Sequence, residues 1–184
     1  MNQAVKFNIE GPMLLNLNRY DDNRGFFTER FKDDYKSLLN IKTDFVQDNF
    51  SRSYKNVIRG LHMQHSPGQG KLVSCLSGKI LDVVVDIRQN SPTYGQHLSV
   101  LLDGDIPSLF WVPSGFAHGF SVQSEMADVL YKVDCHYNAK NELSIKWDDP
   151  DLKIDWKINN PVISDKDNLN LSFAEYSQNP AFKY

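Results

Sequence analysis

Between residues 45 and 132 the chain is a succession of short apolar, β-branched runs punctuated by turn residues, with no helical repeat among them. This pattern constrains the fold most. Strand-like runs stand at residues 71–76, 79–87, 98–102, 108–112, 119–123 and 127–133. They are separated by Ser77-Gly78, Asn90-Ser91-Pro92, Asp103-Gly104-Asp105 and Pro113-Ser114-Gly115. Many short strands without intervening helices predict an all-β fold, an antiparallel sandwich or barrel. On its flanks, residues 5–17 read as a short apolar strand, 18–25 as a polar turn closing on glycine, and 25–31 as a further strand. Tyr35, Leu38 and Leu39 at helical spacing predict a short connecting helix over 32–40. After Tyr137 apolar density falls, and the stretches around Trp147 and Trp156 read as loops anchored by tryptophan.

At 184 residues the chain is expected to be a single domain spanning 1–184, large enough to bury a core without disulfides. A formal net charge of −3 gives no electrostatic footprint for nucleic acid, although a local basic pocket can still hold a small anion. Cys75 and Cys135 make no disulfide framework and no zinc knuckle, so two reduced thiols in a cytoplasmic protein are expected. The first residues carry no basic region followed by an apolar core, and no run is long enough to span a bilayer; no membrane partner is expected.

Chemistry concentrates between Gln47 and Lys71, where polar, basic and imidazole side chains crowd between two apolar runs. In the run Asn56 to Gln64, Ile58 and Leu61 can face a core while Arg59 and His62 project elsewhere, which puts a guanidinium and an imidazole near one another on a strand. Arg59 is a planar, permanently charged fork suited to phosphate, and His62 can take or give a proton near neutral pH. The turn Pro67-Gly68-Gln69-Gly70 would return Lys71 to the same neighbourhood. Each of these residues alone also fits a structural or solvated role. Phe27, Glu29 and Phe31 share one face of the expected strand, so an aromatic and a carboxylate can line a pocket beside Arg24; a surface ion pair is the alternative. Asp82 and Asp86 share a face of their strand and could orient His62, or be solvated or internally paired. Ser164-Asp165-Lys166-Asp167 fits a helix N-terminal capping box.

The spacing Pro113-x-Gly115-x-x-His118 resembles the second cupin motif, in which a tight turn presents a histidine to the mouth of a jelly-roll barrel. A metal-binding cupin also needs His-x-His and a downstream glutamate. Here His62-Met63-Gln64 is followed by His65 one place too late, so a three-histidine metal site is incomplete.

Ordered blocks along the chain are similar to the dTDP-4-dehydrorhamnose 3,5-epimerase family. They are Arg24-Gly25-Phe26-Phe27-Thr28-Glu29, Gln47-Asp48-Asn49, Arg59-Gly60-Leu61-His62-Met63-Gln64, Gln69-Gly70-Lys71-Leu72-Val73, Val85-Asp86-Ile87-Arg88 and Ser91-Pro92-Thr93-Tyr94-Gly95, then Pro113 to Phe120, Leu130-Tyr131-Lys132 and Trp147-Asp148-Asp149-Pro150. The resemblance runs from about Arg24 to Asp167. It implies a metal-free cupin jelly roll, a homodimer, no cofactor, and action on the nucleotide sugar dTDP-4-dehydro-6-deoxy-D-glucose. By motif position His62 matches the catalytic base, Tyr131 the acid on the opposite face of the sugar, Lys71 a residue near the C4 carbonyl and Asp167 the carboxylate paired with the base. Arg24, Phe27, Glu29, Gln47, Asp48, Asn49, Arg59, His118, Glu142 and Lys166 fall in substrate-binding blocks or positions.

The implied chemistry is coherent. A C4 ketone acidifies the C–H bonds at C3 and C5, so inversion needs proton removal from one face and return on the other, without a redox cofactor. Two departures stand out. Cys135-His136-Tyr137-Asn138-Ala139 replaces a common Asp-Tyr-Tyr-Asn-Pro, and Ser74-Cys75 stands where an arginine and an apolar residue are usual. The first lies where relatives contact nucleotide and sugar, so inversion of C3 alone, or a different nucleotide-linked 4-keto sugar, is the alternative reading. A metal-dependent dioxygenase and a non-catalytic sugar-nucleotide binding module are the rivals from other classes.

Overall fold

The computed structural model describes residues 3–184. In chain order the strands are β1 (Gln3–Lys6), β2 (Met13–Asn16), β3 (Tyr20–Asp22), β4 (Gly25–Phe27), β5 (Gln47–Tyr54), β6 (Ile58–Gln64), β7 (Lys71–Ser77), β8 (Lys79–Asp86), β9 (Arg88–Gln89), β10 (His97–Asp103), β11 (Ser108–Val112), β12 (Phe116–Val122), β13 (Met126–Val133), β14 (Glu142–Ser144) and β15 (Phe182–Lys183). Among the described residues, three short helices, α1 (Asp34–Leu38), α2 (Asp165–Asn168) and α3 (Phe173–Tyr176), complete the inventory with one 3-10 turn, Ala139–Asn141.

A six-stranded sheet in the order β1-β2-β11-β7-β13-β5 faces a five-stranded sheet in the order β10-β8-β12-β6-β14. This is the expected all-β jelly roll of the cupin type. The inner core joins both sheets: Val73, Phe110 and Val129 from one meet Ile80, Val84, Val100 and Phe120 from the other. Strand β8 shows why its sequence is almost continuously apolar. Ile80 and Val84 point into the barrel, while Val83 and Val85 pack outward against Leu152, Trp156 and Tyr176 of the C-terminal segment. A strand covered on both faces cannot alternate apolar with polar. The indole N–H of Trp156 donates to the Trp147 carbonyl at 2.7 Å, which makes these tryptophans the anchors of that segment. On the other side α1 lays Tyr35 onto the outer face of the six-stranded sheet, with Leu39 and Ile41 beside it, among Leu15, Leu72, Leu109 and Trp111.

Several boundaries differ from expectation, each for a local reason. The apolar stretch 5–17 is two strands, β1 and β2, folded back on each other in antiparallel register. The strand expected over 25–31 ends at Phe27, because β3 and β4 pair only with each other, and Phe31 leaves to pack edge-on against Phe45 at 5.5 Å. Glu29 and Phe31 therefore do not continue a face with Phe27. The helix expected over 32–40 keeps only its centre, since Asn40 takes a left-handed φ of 54°. Strand β12 begins at Phe116, and β5 was not foreseen as a strand. Among the described residues no helix is long and apolar enough to cross a membrane.

Candidate active site

The site is built where β6 and β12 approach each other unusually closely. Gly60 has φ +123°, and a Cβ there would stand 2.6 Å from Gly119 Cα and 2.8 Å from the His118 carbonyl oxygen. Only glycine satisfies both the backbone angle and the space. The approach sets His62 opposite His118 in the strand register. The turn after β6 then reverses the chain as expected. Gly70 at its end lies against the Trp111 ring, where any side chain would collide. Lys71 thereby starts β7 with its ammonium donating to the His62 carbonyl at 3.2 Å.

These strands enclose a cavity of about 270 Å³. Arg59 and His62 of β6, His118 and Phe120 of β12 and Glu142 of β14 form the wall supplied by the five-stranded sheet. Ser51 of β5, Lys71 of β7 and Val129 and Tyr131 of β13 form the wall supplied by the six-stranded sheet, and Tyr137 closes the side from the following loop. His62 and Tyr131 therefore stand on opposing sheets.

The polar groups are interlocked. Nε2 of His62 lies 2.6 Å from Oδ1 of Asp167, which is 4% exposed and arrives on α2. Burial alone would raise the Asp167 carboxyl; the hydrogen bond and charge of His62, with donors from Ser164 and the Gly60 backbone, outweigh it and hold the group below the usual carboxylate range. Ser164 caps α2 by accepting from the Asp167 backbone N–H at 3.1 Å, but the capping box expected there is only half made, because the Asp167 carboxylate turns to His62 instead of to the Ser164 backbone. Burial pushes the Lys71 ammonium down to about 8, against the pull of Glu142 and Asp82. The Tyr131 phenol is raised by burial, a shift opposed by Arg59, and its hydroxyl makes no hydrogen bond among the described residues. Burial would raise Glu142, but Lys166 at 2.6 Å and the Tyr137 hydroxyl at 2.8 Å donate to it and keep it low. Nε of Arg59 donates to Ser53 Oγ at 2.8 Å.

Of the residues singled out in the sequence, His62, Lys71, Arg59, His118, Tyr131 and Glu142 converge on the cavity, with Asp167 behind His62 and Lys166 at the rim through Glu142. Gln47 and Asn49 lie on the same face of β5 as Ser51, hydrogen-bonded to each other at 2.8 Å, and Asn49 is registered against Tyr131. Asp48 points the opposite way and is held by Lys132 at 3.0 Å. Arg24 and Phe27 line a separate shallow groove on the β3–β4 hairpin, with Arg24 bound to Asp22, while Glu29 pairs with Lys32 at 3.5 Å. The surface ion pair, offered as the alternative for that stretch, is what this chain alone displays. Neither Asp82 nor Asp86 orients His62. Asp82 receives His118, and Asp86 is consumed by Arg88, Ser91 and Thr93. Ser51 and Tyr137 were missed, and Ser51 Oγ is buried in the cavity wall without a partner among the described residues. Among the described residues no group of three or more His, Cys, Asp or Glu is placed to hold a metal ion.

A jelly roll whose cavity combines a His–Asp pair, a facing phenol and a buried ammonium defines an isomerase of the proton-transferring, cupin-fold class. The chain belongs to the dTDP-4-dehydrorhamnose 3,5-epimerase family, whose model matches residues 6–175. It is 44% identical to the dTDP-6-deoxy-D-glucose-3,5-epimerase of Legionella pneumophila, solved in complex with dTDP-4-keto-L-rhamnose, with a TM-score of 0.95 over 100% of this chain and 99% of that one. The dTDP-4-dehydrorhamnose 3,5-epimerase of Shigella flexneri is 42% identical over 89% of this chain and 92% of its own length. A 3'-monoepimerase of Streptomyces bikiniensis is 29% identical, with a TM-score of 0.87 over 94% of this chain and 88% of that one.

Proposed function

We propose that the protein inverts C3 and C5 of dTDP-4-dehydro-6-deoxy-D-glucose to give dTDP-4-dehydro-L-rhamnose. The observation that carries this reading is the pairing of His62 with Asp167 across one cavity from Tyr131, with Lys71 between the sheets. With Nε2 donating to Asp167, the lone pair of the neutral His62 ring is on Nδ1, and the carboxylate stabilises the imidazolium that forms when this nitrogen takes the proton from C3 or C5. The electron pair of the broken C–H bond moves onto the C4 oxygen. Lys71, an ammonium below pH of about 8, stabilises that enolate. Tyr131 returns a proton from the opposite wall, and its raised pKa keeps it protonated until then. A space of about 270 Å³ is at the small end of ligand pockets, which suits the hexose and leaves the nucleotide across the mouth. There Arg59 is suited to the diphosphate and Gln47, Asn49, Tyr137 and Lys166 to the remainder.

The whole chain is read as one catalytic domain of a cytoplasmic enzyme that acts as a homodimer. Arg24 and Phe27 are unsuited to the cavity of their own chain, and Tyr20, Phe26 and Phe27 of the same hairpin are 56%, 43% and 65% exposed. A second copy supplies the surface such an apolar hairpin needs and brings Arg24, Phe27 and Glu29 to a neighbouring site.

Deuterium incorporation from heavy water, read by NMR and mass spectrometry, tests the reaction. Label at both C3 and C5 is expected. Label at C3 alone would move the protein to the monoepimerase branch, and label at neither would reject the substrate.

A further inference from the structure

We propose that Asp82 is a positioning residue for the epimerisation: from beneath the cavity its carboxylate fixes His118 in one tautomer and supplies negative charge that helps keep Lys71 an ammonium. The inference rests on the roles read above for Lys71 and the sugar site. Asp82 sits on the inner face of β8, is 0% exposed and does not itself line the cavity. Its cross-strand neighbours are Val100 of β10 and Phe120 of β12, both apolar. A carboxylate so placed is costly unless something uses it. Both of its oxygens lie within reach of Nε2 of His118, at 2.9 and 3.0 Å.

That contact commits one ring nitrogen. A neutral His118 must carry its proton on Nε2, leaving Nδ1 as an acceptor, while the imidazolium offers Nδ1–H as a donor. Nδ1 has no hydrogen-bond partner among the described residues, and the ring lines the cavity beside His62. His118, like His62, thus meets the cavity from a ring held at its back by a carboxylate.

The charges around Lys71 complete the argument. Burial lowers its pKa, and the carboxylates that oppose this are Glu142 from β14 and Asp82 from β8. The remaining titratable groups on the cavity are Arg59 and His62 of β6, His118 of β12, Tyr131 of β13 and Tyr137 of the following loop. Glu142 already accepts from Lys166 and Tyr137. Asp82 has no such outside partner among the described residues; burial raises its pKa, and His118 and Lys71, the two groups toward which a charge on it would act, oppose that rise. Two His–carboxylate pairs thus stand side by side, one behind the base and one behind a substrate-facing ring.

The test is Asp82→Asn in the full-length protein, with turnover of dTDP-4-dehydro-6-deoxy-D-glucose followed from pH 6 to pH 10. The alkaline limb of kcat is expected to move to lower pH by about half a unit or more, with kcat falling more than KM rises. A merely structural Asp82 would lower the melting temperature and scale activity equally at every pH; a folded variant with the wild-type limb overturns the proposal. Should Asp82→Asn fail to fold, nitrogen-15 NMR of the wild-type histidines decides. His118 protonated at Nε2 through the neutral range is expected, and the Nδ1–H tautomer overturns the inference. His62→Gln is run in parallel: wild-type turnover there would sink the reading of the site, whereas an unshifted Asp82→Asn sinks this inference alone.

Discussion

The strands β6, β7, β12 and β13 and the β3–β4 hairpin carry motif residues of comparable distinctiveness, yet they fare differently in the folded chain. The four barrel strands have partners on both sides, and each of their functional residues is fixed by register: His62 against His118, Tyr131 against Val73 on one side and Asn49 on the other. The hairpin pairs only with itself, every residue of its two strands is exposed, and Arg24 finds nothing nearer than Asp22. Sequence spacing becomes geometry where a sheet holds a strand from both sides. Where one ladder stands alone, the same spacing leaves its residues on an exposed surface.

Perturbing the barrel should therefore cost chemistry or stability outright, and perturbing the hairpin should cost binding alone. The largest effect is expected for His62→Gln, which keeps a donor for Asp167 and removes the base: turnover should fall by about 10³-fold in steady-state assays with ligand affinity preserved. Wild-type turnover would mean that the base lies elsewhere. Next comes Gly60→Ala, which forces a side chain against the Gly119 and His118 backbones at a positive φ; urea denaturation should read a loss of about 3 kcal/mol. A neutral result would remove the close approach of β6 and β12 as the reason for that glycine. A smaller effect should appear in the pH profile. Lys71 is needed charged and its pKa is held down near 8, so the alkaline limb of kcat falls as pH rises through about 8. A plateau extending to pH 10 would take Lys71 out of enolate stabilisation. The smallest effect is expected for Arg24→Ala. Its ion pair is exposed, so the melting temperature should move by about a degree or less, while the proposed homodimer would have KM rise roughly tenfold. An unchanged KM would make the hairpin a spectator and erase the contrast with the barrel.

The run from β7 to β13 was legible because its strands are apolar on the face that meets the core. Strand β5 was not, and its polarity explains why. Gln47, Asn49, Ser51 and Ser53 point to the inside while Phe50 and Tyr54, 58% and 69% exposed, point out, so the alternation is regular but its sign is inverted by a polar cavity wall. Within the site, Arg59, His62 and Lys71 could be grouped from local spacing alone, since one turn brings them together. Asp167 and Tyr131 could not: one is reached across 105 residues, and the other looks like a core aromatic. Their identification needed the motif blocks. Tyr137 was hidden in a stretch that departs from the motif, and Ser51 in a strand that did not read as one. The role of Asp82 depends on a partner in another strand, and no one-dimensional pattern marks it.

The carboxylate of the dyad does not belong to the barrel. It rides on α2, in a C-terminal segment stitched to β6 by the Val57–Val162 bridge and the Ile58 N–H donating to the Val162 carbonyl at 3.1 Å. Turnover therefore needs this segment docked as well as both sheets paired. Recovery of turnover after dilution from denaturant therefore clocks the docking of residues 162–167, whereas far-UV circular dichroism clocks the sheets. Refolding followed by activity should not run ahead of refolding followed by dichroism, and activity that returned first would show that the dyad works without the docked segment.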